Sequence, residues 1–340
     1  MKIIILYNRI SDNPLPDELD VLEQIRSITQ ALTENGHTVT KLPFDLNMEA
    51  VKTSLLDHRP DIVFNLVESV DGKGSLLHFA PALLESLHIP YTGCPMDAVY
   101  VTSNKILAKK ILAASGLNTP EWITPKNGDG GCKPIHGKWI VKSVWEHASL
   151  GMDHDSVIEV KDISEIVAAI DRKKRLLGGD WFAERFIDGR EFNMALLANS
   201  TGVEMLHPAE IVFKNFGPAK PQIVDYRAKW DTDSFEYRHT IRQFDFPASD
   251  SALLERLKAM SLACWRSFNL RGYARVDFRV DRNGQPWILE INANPCLSED
   301  AGFAAAVSRT GYRYAAAVQR IVEDSVDPTK TPVTPDRPDL

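Results

Sequence analysis

The sequence lacks the features that mark several large classes of protein. No apolar run approaches the length of a membrane span. The 340 residues carry a net charge of −7, which argues against nucleic acid or an anionic membrane as the main partner. The stretch Met1–Asn8 is too short for a secretory signal peptide and has no cleavage region. We therefore expect a cytoplasmic protein that binds neither nucleic acid nor membrane.

Cysteine and glycine motifs are also scarce. The four cysteines are scattered, with no pair at metal-ligand spacing, so reduced thiols are the simple account. No Gly-x-Gly-x-x-Gly follows the first predicted strand, which argues against a bound dinucleotide. What is present is ordinary for a globular protein, with 44% apolar and 25% charged residues. At 340 residues, two or three domains are expected.

The first hundred residues alternate between strand and helix patterns. Strands are predicted at 2–7, 37–43 and 61–66, and helices at 17–34, 47–59 and 76–87. Such alternation predicts a parallel sheet with helices on its faces, similar to half of a Rossmann-type sheet.

The most informative stretch is a predicted hairpin near the end of the chain. Residues 273–280 alternate bulky and polar side chains, residues 281–284 supply a tight turn, and residues 287–292 form the second strand. The residues between the polar ones are apolar, for example Val276 and Phe278, which indicates a buried element. A polar face on a buried hairpin needs a functional reason.

That polar face carries four side chains. Arg275 and Asp277 are two residues apart on one strand, and Glu290 and Asn292 are two apart on the other, so paired strands bring them together. Carboxylate and amide oxygens are the ligands that Mg²⁺ prefers. An arginine beside them suits a phosphate or a developing oxyanion. The alternative is a surface hairpin with a few charges.

Two lysines are placed where an anion would explain them. Lys105 lies in the first turn of a helix predicted at 104–115, capped by Ser103, where the helix dipole disfavours a cation. Lys142 lies inside a strand predicted at 138–144. Both positions suit a phosphate. The alternative for Lys105 is an exposed lysine that costs little.

Two glutamates follow in the same unit. A helix at 164–174 and a strand at 181–187 complete an α+β unit. Glu184 and Glu191 flank the turn after that strand, where carboxylates accept hydrogen bonds from an adenine amino group and from ribose hydroxyls. The alternative for each is a solvated glutamate.

The last third is predicted from weaker patterns. We expect a strand at 209–213, a polar loop up to Ser234, and helices at 249–268 and 303–324. Residues 325–340 contain four prolines and no periodic apolar face, which predicts a flexible tail.

Taken in order, several segments resemble the ATP-grasp superfamily and, within it, the D-alanine–D-alanine ligase family. The matching segments are 84–93, 140–142, 184–191, 225–229, 272–278 and 289–295, together with Lys105. The resemblance implies an ATP-grasp fold of mixed α/β and α+β class. Its parts would be an N-terminal Rossmann-like domain (1–101), a central lid domain (102–191), a C-terminal catalytic domain (192–324) and the tail (325–340).

The resemblance also implies a role for each matched residue. Lys105 and Lys142 would contact the phosphates of ATP; Glu184, Arg185 and Ile187 would hold adenine, and Glu191 the ribose; Asp277, Glu290 and Asn292 would bind two Mg²⁺, for which Mn²⁺ is a substitute; Arg275, Lys229 and Ser149 would be catalytic. The reaction implied is ATP-dependent amide formation between a carboxylate and an amine through an acyl-phosphate. Relatives are often dimers through the first domain, so a homodimer is expected.

The departures from the family concern the substrate. Trp230 replaces a tyrosine, Cys296 a glycine and Ala301 a serine that grips the acceptor carboxylate. At the first helix the family's glutamate is matched only by Glu18 or Asp20. Asp300, beside Glu299, would either bind a cationic acceptor or cap the next helix. We therefore expect substrates other than two D-alanines. The alternatives are a D-alanine–D-alanine ligase with a rebuilt pocket, and an ATP-binding sensor without catalysis.

Overall fold

The first part of the chain forms the predicted parallel sheet. The computed structural model describes residues 1–125, 135–218 and 220–326. Strands β1 (Lys2–Asn8), β2 (Thr38–Phe44) and β3 (Ile62–Leu66) are parallel in the order β2-β1-β3, and helices α1 (Pro16–Glu34), α2 (Met48–His58) and α3 (Phe79–Ser86) follow them along the chain. Every residue of β3 is buried, as expected for a strand with helices on both faces.

Two helices precede the second sheet, and one of them was not predicted. Helix α4 (Met96–Ser103) ends where α5 (Lys105–Ala114) begins. Ser103 is therefore the last residue of α4 and not the cap of α5. The cap is Asn104, whose side chain accepts hydrogen bonds from the backbone N–H groups of Ile106 and Leu107. Asn is as good an N-cap as Ser, so the sequence left both residues available.

The second sheet is antiparallel and four-stranded, in the order β4-β7-β5-β6. Its elements are β4 (Trp122–Ile123), β5 (Gly137–Ser143), β6 (Val157–Val160), helix α6 (Ile163–Leu177) and β7 (Trp181–Arg185). Trp139, Ile166 and Ile170 lie in the buried cluster between α6 and the sheet. This small core orients Lys142 and Glu184, which lie on adjacent strands.

The third sheet contains the predicted hairpin. Its strands are β8 (Gly189–Asn199), β9 (Gly202–Met205), β10 (Ala209–Phe213), β11 (Thr240–Gln243), β12 (Tyr273–Asp281) and β13 (Pro286–Asn292). The order is β11-β10-β8-β12-β13, with β9 beside β8. The predicted polar loop contains two short helices, α7 (Tyr226–Trp230) and α8 (Phe235–His239), and α9 (Ser251–Ser267) precedes β12.

The prediction of one long helix at 303–324 is wrong. The chain forms two helices, α10 (Gly302–Arg309) and α11 (Tyr314–Val326). Gly311 adopts φ +94°, a conformation that ends a helix and that glycine takes without steric cost. Residues 327–340, most of the predicted tail, lie outside the described part of the chain.

The two ends of the chain pack together. Helix α11 lies against α1, and Ile28, Leu32, Val318 and Ile321 belong to one buried cluster that also includes residues of β8 and β12. The parallel sheet and the third sheet therefore share a core. No helix in the described ranges is both long and apolar enough to cross a bilayer. The predicted domain limits stay a prediction; β8 continues through the limit placed at residue 191.

Candidate active site

A cavity of about 600 Å³ is lined by residues of the second and third sheets, together with Asp20 of α1 and Glu68 after β3. Its lining includes predicted site residues from every part of the chain. They are Lys105, Lys142, Ser149, Glu184, Arg185, Ile187, Glu191, Lys229, Trp230, Arg275, Asp277, Glu290, Asn292, Cys296, Asp300 and Ala301. Glu18 is not among the lining residues, whereas Asp20, its alternative, is.

The hairpin brings its four polar side chains together as predicted. Arg275 pairs with Asn292 across the strands, and Asp277 pairs with Glu290. The pairing shifts after Asp277, so a bulge separates these residues from the rest of the hairpin. The intervening side chains Val276 and Ile291 face the buried core on the other side. The polar face therefore points into the cavity because the apolar face is buried.

Asp277 is fixed by two neighbours. Arg275 forms a bidentate ion pair with it, with Nε–Oδ1 at 2.7 Å and Nη2–Oδ2 at 2.8 Å. Asn193 on β8 donates to Asp277 Oδ1 at 2.7 Å. Bidentate arginine–carboxylate contacts fix geometry as well as charge. The Asp277 carboxylate is therefore oriented before any ligand binds.

Glu290, unlike Asp277, is not held by an ion pair with any residue that the structure describes. In the described ranges no donor or cation lies within bonding distance of its carboxylate, although Lys105 and Lys229 act on it electrostatically. Burial alone would raise the pKa of Glu290, but Lys105, Lys229, His147 and Arg275 together lower it. The glutamate is therefore ionised and its oxygens face the cavity.

The donor set fits magnesium. Asp277 and Glu290 supply carboxylates and Asn292 supplies an amide oxygen, which accepts the N–H of Asn294 at 2.9 Å. Among described residues no cluster holds three or more His, Cys, Asp or Glu side chains in metal-binding arrangement. Two carboxylates and an amide are what Mg²⁺ uses when substrate phosphates complete its shell.

Lys105 is buried rather than exposed on the surface. Its Nζ donates to the carbonyl of Glu146 at 2.7 Å, and its backbone N–H donates to the carbonyl of Val144. Burial lowers the pKa of Lys105. The alternative of a solvated lysine is therefore wrong, and α5 presents its first-turn cation to the cavity.

Lys142 and Glu184 form an ion pair, with Nζ–Oε1 at 2.6 Å. Lys109 Nζ on α5 forms a second ion pair, with Oε2 of Glu184, also at 2.6 Å. Burial would raise the pKa of Glu184, but Lys109 and Lys142 together lower it. Glu184 is 1% exposed, so it is not a solvated glutamate.

Glu191 is buried beside an arginine. Arg279 Nη2 lies 2.8 Å from Glu191 Oε2, and the same guanidinium donates to the carbonyl of Gly189 at 3.2 Å. Arg185 stacks over the Trp139 ring, 4.4 Å from its centroid. Arg279 and Arg185 thus hold the two ends of the segment between β7 and β8, and Ile187 in that segment lines the cavity.

The loop after β5 covers the cavity. Ala148 and Ser149 both adopt positive φ, at 57° and 62°. Ser149 Oγ donates to the carbonyl of Val224 at 2.8 Å, and the indole N–H of Trp230 donates to the carbonyl of Ala148 at 3.1 Å. These contacts join the loop to α7, the helix that carries Lys229, and to the segment before it.

His147 lies in the same loop and lines the cavity. Burial and the nearby Lys105 lower the pKa of His147 to about 4. The imidazole is therefore neutral at ordinary pH, which leaves it able to donate one hydrogen bond and accept another.

The far end of the cavity, formed by Asp20 and by Cys296, Asp300 and Ala301, contains two positions that depart from the family, Cys296 and Ala301. Cys296 Sγ donates to the Asp20 carboxylate at 3.0 Å. Burial raises the pKa of Cys296 well above its ordinary value, so this thiol is not a ready nucleophile. Glu18 instead accepts the backbone N–H of Leu15 at 3.1 Å at the start of α1.

Helix α10 begins at this end. Its N-cap is Ala301, and its first turn holds no acidic residue. The capping alternative for Glu299 and Asp300 is therefore not supported. The carbonyl of Asp300 accepts a hydrogen bond from Arg242 on β11 at 2.8 Å.

Comparison with known proteins identifies the family. A family model described as "D-ala D-ala ligase C-terminus" matches residues 135–323, more than half of the chain. The chain belongs to the D-alanine–D-alanine ligase family. It is thus an ATP-grasp ligase that forms C–N bonds.

Relatives of this D-alanine–D-alanine ligase family member match most of the chain. The D-alanine–D-alanine ligase of Aquifex aeolicus is 29% identical over 281 residues, covering 81% of this chain and 84% of the relative. An uncharacterized protein, y4sG, of Sinorhizobium fredii is 30% identical over 303 residues, covering 87% and 85%.

Solved structures confirm the predicted ATP-grasp fold. The D-alanine–D-alanine ligase from Bacillus anthracis complexed with ATP matches with a TM-score of 0.69 at 21% identity, covering 96% of this chain and 97% of that one. The VanG D-Ala:D-Ser ligase from Enterococcus faecalis matches with a TM-score of 0.69 at 16% identity, covering 96% and 99%.

Four residues of this family member's site were missed from the sequence. They are Lys109, Asn193, Arg242 and Arg279. The sequence contained a signal for Lys109, because it lies four residues after Lys105 and therefore on the same, buried face of α5. Asn193 and Arg279 had none, because their roles depend on the pairing of β8 with β12.

Proposed function

We propose that this family member joins a carboxylate to an amine at the expense of ATP, and that its substrates are not two D-alanines. The observation that carries the reaction is the convergence of the hairpin's polar face with Lys105, Lys142 and Lys229 in one cavity. Phosphoryl transfer needs positioning and charge neutralisation more than covalent help from the protein, and this cavity supplies both.

The nucleotide would occupy the part of the cavity between the second and third sheets. Lys105 and Lys142 would bind its phosphates, the backbone at Arg185 and Ile187 together with Glu184 would hold adenine, and Glu191 would accept the ribose hydroxyls. Support comes from their shared cavity and from Arg279, which fixes the Glu191 carboxylate.

Asp277, Glu290 and Asn292 would hold two Mg²⁺ ions, with Mn²⁺ as a substitute. Ions bound there would neutralise the charge of the phosphates. The oriented Asp277 and the ionised Glu290 support this assignment.

The proposed reaction has two steps, phosphoryl transfer and then amide formation. A substrate carboxylate oxygen bonds to the terminal phosphorus of ATP, and the bond from that phosphorus to the ADP oxygen breaks. The amine nitrogen then attacks the acyl carbon, phosphate leaves with the C–O bonding pair, and the nitrogen loses a proton. Arg275 would stabilise the acyl-phosphate and the tetrahedral oxyanion. Lys229 would contact the transferred phosphate, and the loop with Ser149 would exclude water.

The substrate proposal depends on two cavity residues that differ from the family, Ala301 and Trp230. Ala301 offers no hydrogen-bonding side chain where the family has a serine. The indole N–H is the only hydrogen-bond donor of the Trp230 side chain, and it donates to the carbonyl of Ala148. Trp230 therefore cannot replace a tyrosine hydroxyl. A site built to bind D-alanine would lose two polar partners here. Asp20 and Asp300 line the cavity together with Arg242, so charges of both signs are available to an acceptor.

A substrate panel tests the proposal. The protein is incubated with ATP, Mg²⁺ and pairs of amino acids, ADP release is followed, and products are identified by mass spectrometry. We expect turnover with a pair other than D-alanine plus D-alanine. Robust formation of the D-alanine dipeptide from D-alanine alone would show that the substrate proposal is wrong.

The named relatives favour a second candidate, a D-alanine–D-alanine ligase with a rebuilt pocket, since the Aquifex aeolicus protein carries that name. The mass of the dipeptide in the same panel decides between the two. A homodimer is also proposed, and light scattering of the purified protein tests it.

A further inference from the structure

The Glu184 carboxylate lies between two lysines. Lys109 Nζ is 2.6 Å from Oε2, and Lys142 Nζ is 2.6 Å from Oε1. The side chains of Glu184 and Lys109 are 1% exposed, and that of Lys142 is 14% exposed. Two cations and one anion in a buried cluster leave one excess positive charge beside the cavity.

The two lysines are held differently. Lys109 also donates to Thr119 Oγ1 at 2.9 Å and to the carbonyl of Pro120 at 3.0 Å. Thr119 in turn donates to the carbonyl of Ile288 on β13. Lys109 is therefore anchored to the third sheet and does not line the cavity, whereas Lys142 does.

We propose that Lys109 is a positioning residue that stays with Glu184 and so allows Lys142 to leave this carboxylate for the phosphates of the nucleotide. The inference rests on the proposed binding of ATP in the cavity. It assigns Lys109 a part in phosphate binding although Lys109 does not touch the cavity.

The physical reason is the cost of an unpaired buried charge. If Lys142 were the only cation beside Glu184, moving it to a phosphate would leave a buried carboxylate without a partner, which is strongly unfavourable. With Lys109 anchored, Glu184 keeps one ion pair after Lys142 moves.

Equilibrium binding of adenosine and of ATP with Mg²⁺ tests the proposal. Adenosine has no phosphate, so the ratio of ATP affinity to adenosine affinity isolates what the phosphates contribute. In Lys109→Met we expect this ratio to fall at least about tenfold, because Glu184 then retains Lys142. The added change Glu184→Gln should restore the ratio by releasing Lys142, although the buried ion pair is still missing.

Arg320→Met is the control. Arg320 is also a largely buried cation, it pairs with Glu204 at 3.0 Å, and it does not line the cavity. The control should leave the ratio unchanged. A merely structural role for Lys109 would weaken ATP and adenosine binding alike, so an unchanged ratio in Lys109→Met overturns the proposal.

Two further outcomes are informative. If Lys109→Met does not fold, Glu184→Gln alone decides, since freeing Lys142 should raise the ratio; a ratio that is unchanged or lower overturns the proposal. If the wild-type protein binds no ATP, the proposed function itself is wrong, and this inference is overturned with it.

Discussion

At the scale of single residues, the polar face of the hairpin is oriented in advance. Arg275 and Asn193 hold both oxygens of Asp277, while Glu290 faces the cavity among cations. Side chains held in this way do not have to be ordered when a ligand binds, which lowers the entropic cost of binding. The fixed orientation of Asp277 therefore favours the Mg²⁺ binding proposed for it.

Replacing Asp277 with Asn should abolish most of the activity. The amide keeps the shape but removes the charge proposed to bind Mg²⁺, and it loses the ion pair with Arg275. We expect ADP formation to fall at least about 100-fold. The assay is ADP release with the best substrate pair, and Asp57→Asn, an exposed change on α2, is the control. Near wild-type turnover in Asp277→Asn would contradict the metal assignment.

His147 should make stability depend on pH. Burial and Lys105 lower the pKa of His147 to about 4 from its ordinary 6.5. The unfolded chain therefore takes up a proton below the ordinary pKa while the folded protein does not. This contribution to the free energy of unfolding is complete above pH about 6.5 and is lost as pH falls towards about 4.

Unfolding measured at pH about 7.5 and about 5 checks this expectation. Between these two pH values, the free energy of unfolding of His147→Gln should fall by roughly 1–2 kcal/mol less than that of the wild type, because the glutamine does not titrate. The exposed His58→Gln is the control. Equal losses in His147→Gln and the wild type would contradict the expectation.

At the scale of elements, the loop that covers the cavity is held by its neighbours. The carboxylate of Glu146 accepts the N–H of Gly74, at the start of a short 3₁₀ turn (Gly74–Leu76), at 3.2 Å, and its carbonyl accepts Lys105. Trp230 and Ser149 add contacts to α7 and to the segment before it. The loop therefore closes against three separate parts of the chain, and a change at any one of them should shift it.

Gly74→Ala should displace this loop. A Cβ at Gly74 would lie 2.8 Å from the carbonyl oxygen of Trp145 and 3.1 Å from Glu146 Oε2. A backbone oxygen cannot rotate away, so the loop must move. We expect ATP affinity to fall roughly 3- to 10-fold with little change in melting temperature, since loops contribute little to global stability.

Gly217→Ala is the control for this change, because a Cβ there meets no atom within 4 Å. Calorimetry of ATP binding and a thermal melt of both variants provide the measurements. An ATP affinity in Gly74→Ala equal to that of Gly217→Ala would show that the contact with Glu146 does not position the loop.

At the scale of the whole molecule, the cavity joins parts of the chain that are far apart in sequence. Asp20 comes from α1, Glu184 from the second sheet and Asp277 from the third. A ligand bound there contacts all three parts at once. Its binding free energy should therefore add to the stability of the whole protein.

ATP with Mg²⁺ should stabilise the protein against denaturant. At about 100 times its Kd, a ligand that binds only the folded state adds about 2.7 kcal/mol to the free energy of unfolding. Chemical denaturation with and without nucleotide measures this effect, Mg²⁺ alone is the control, and Lys142→Met should reduce the gain at the same ATP concentration. No gain at saturating ATP would contradict nucleotide binding in the cavity.

The sequence by itself determined the reaction class and the hairpin. Alternation of polar and apolar residues is a local pattern, and a strand with one buried face must place Arg275 and Asp277 on the same side. The parallel arrangement of the first sheet followed in the same way from alternating helix and strand patterns. The ends of helices were harder to predict, because Ser103 and Asn104 are equally good N-caps until the position of α4 is known.

Only the tertiary structure decided the partners of these residues. Asn193 and Asp277 are 84 positions apart, and Glu191 and Arg279 are 88 apart, so no local pattern links them. Lys109 acquires its role from Glu184 on a different sheet, and Asp20 rather than Glu18 reaches the cavity because of how α1 docks. Such contacts depend on packing between distant elements, which local sequence does not determine.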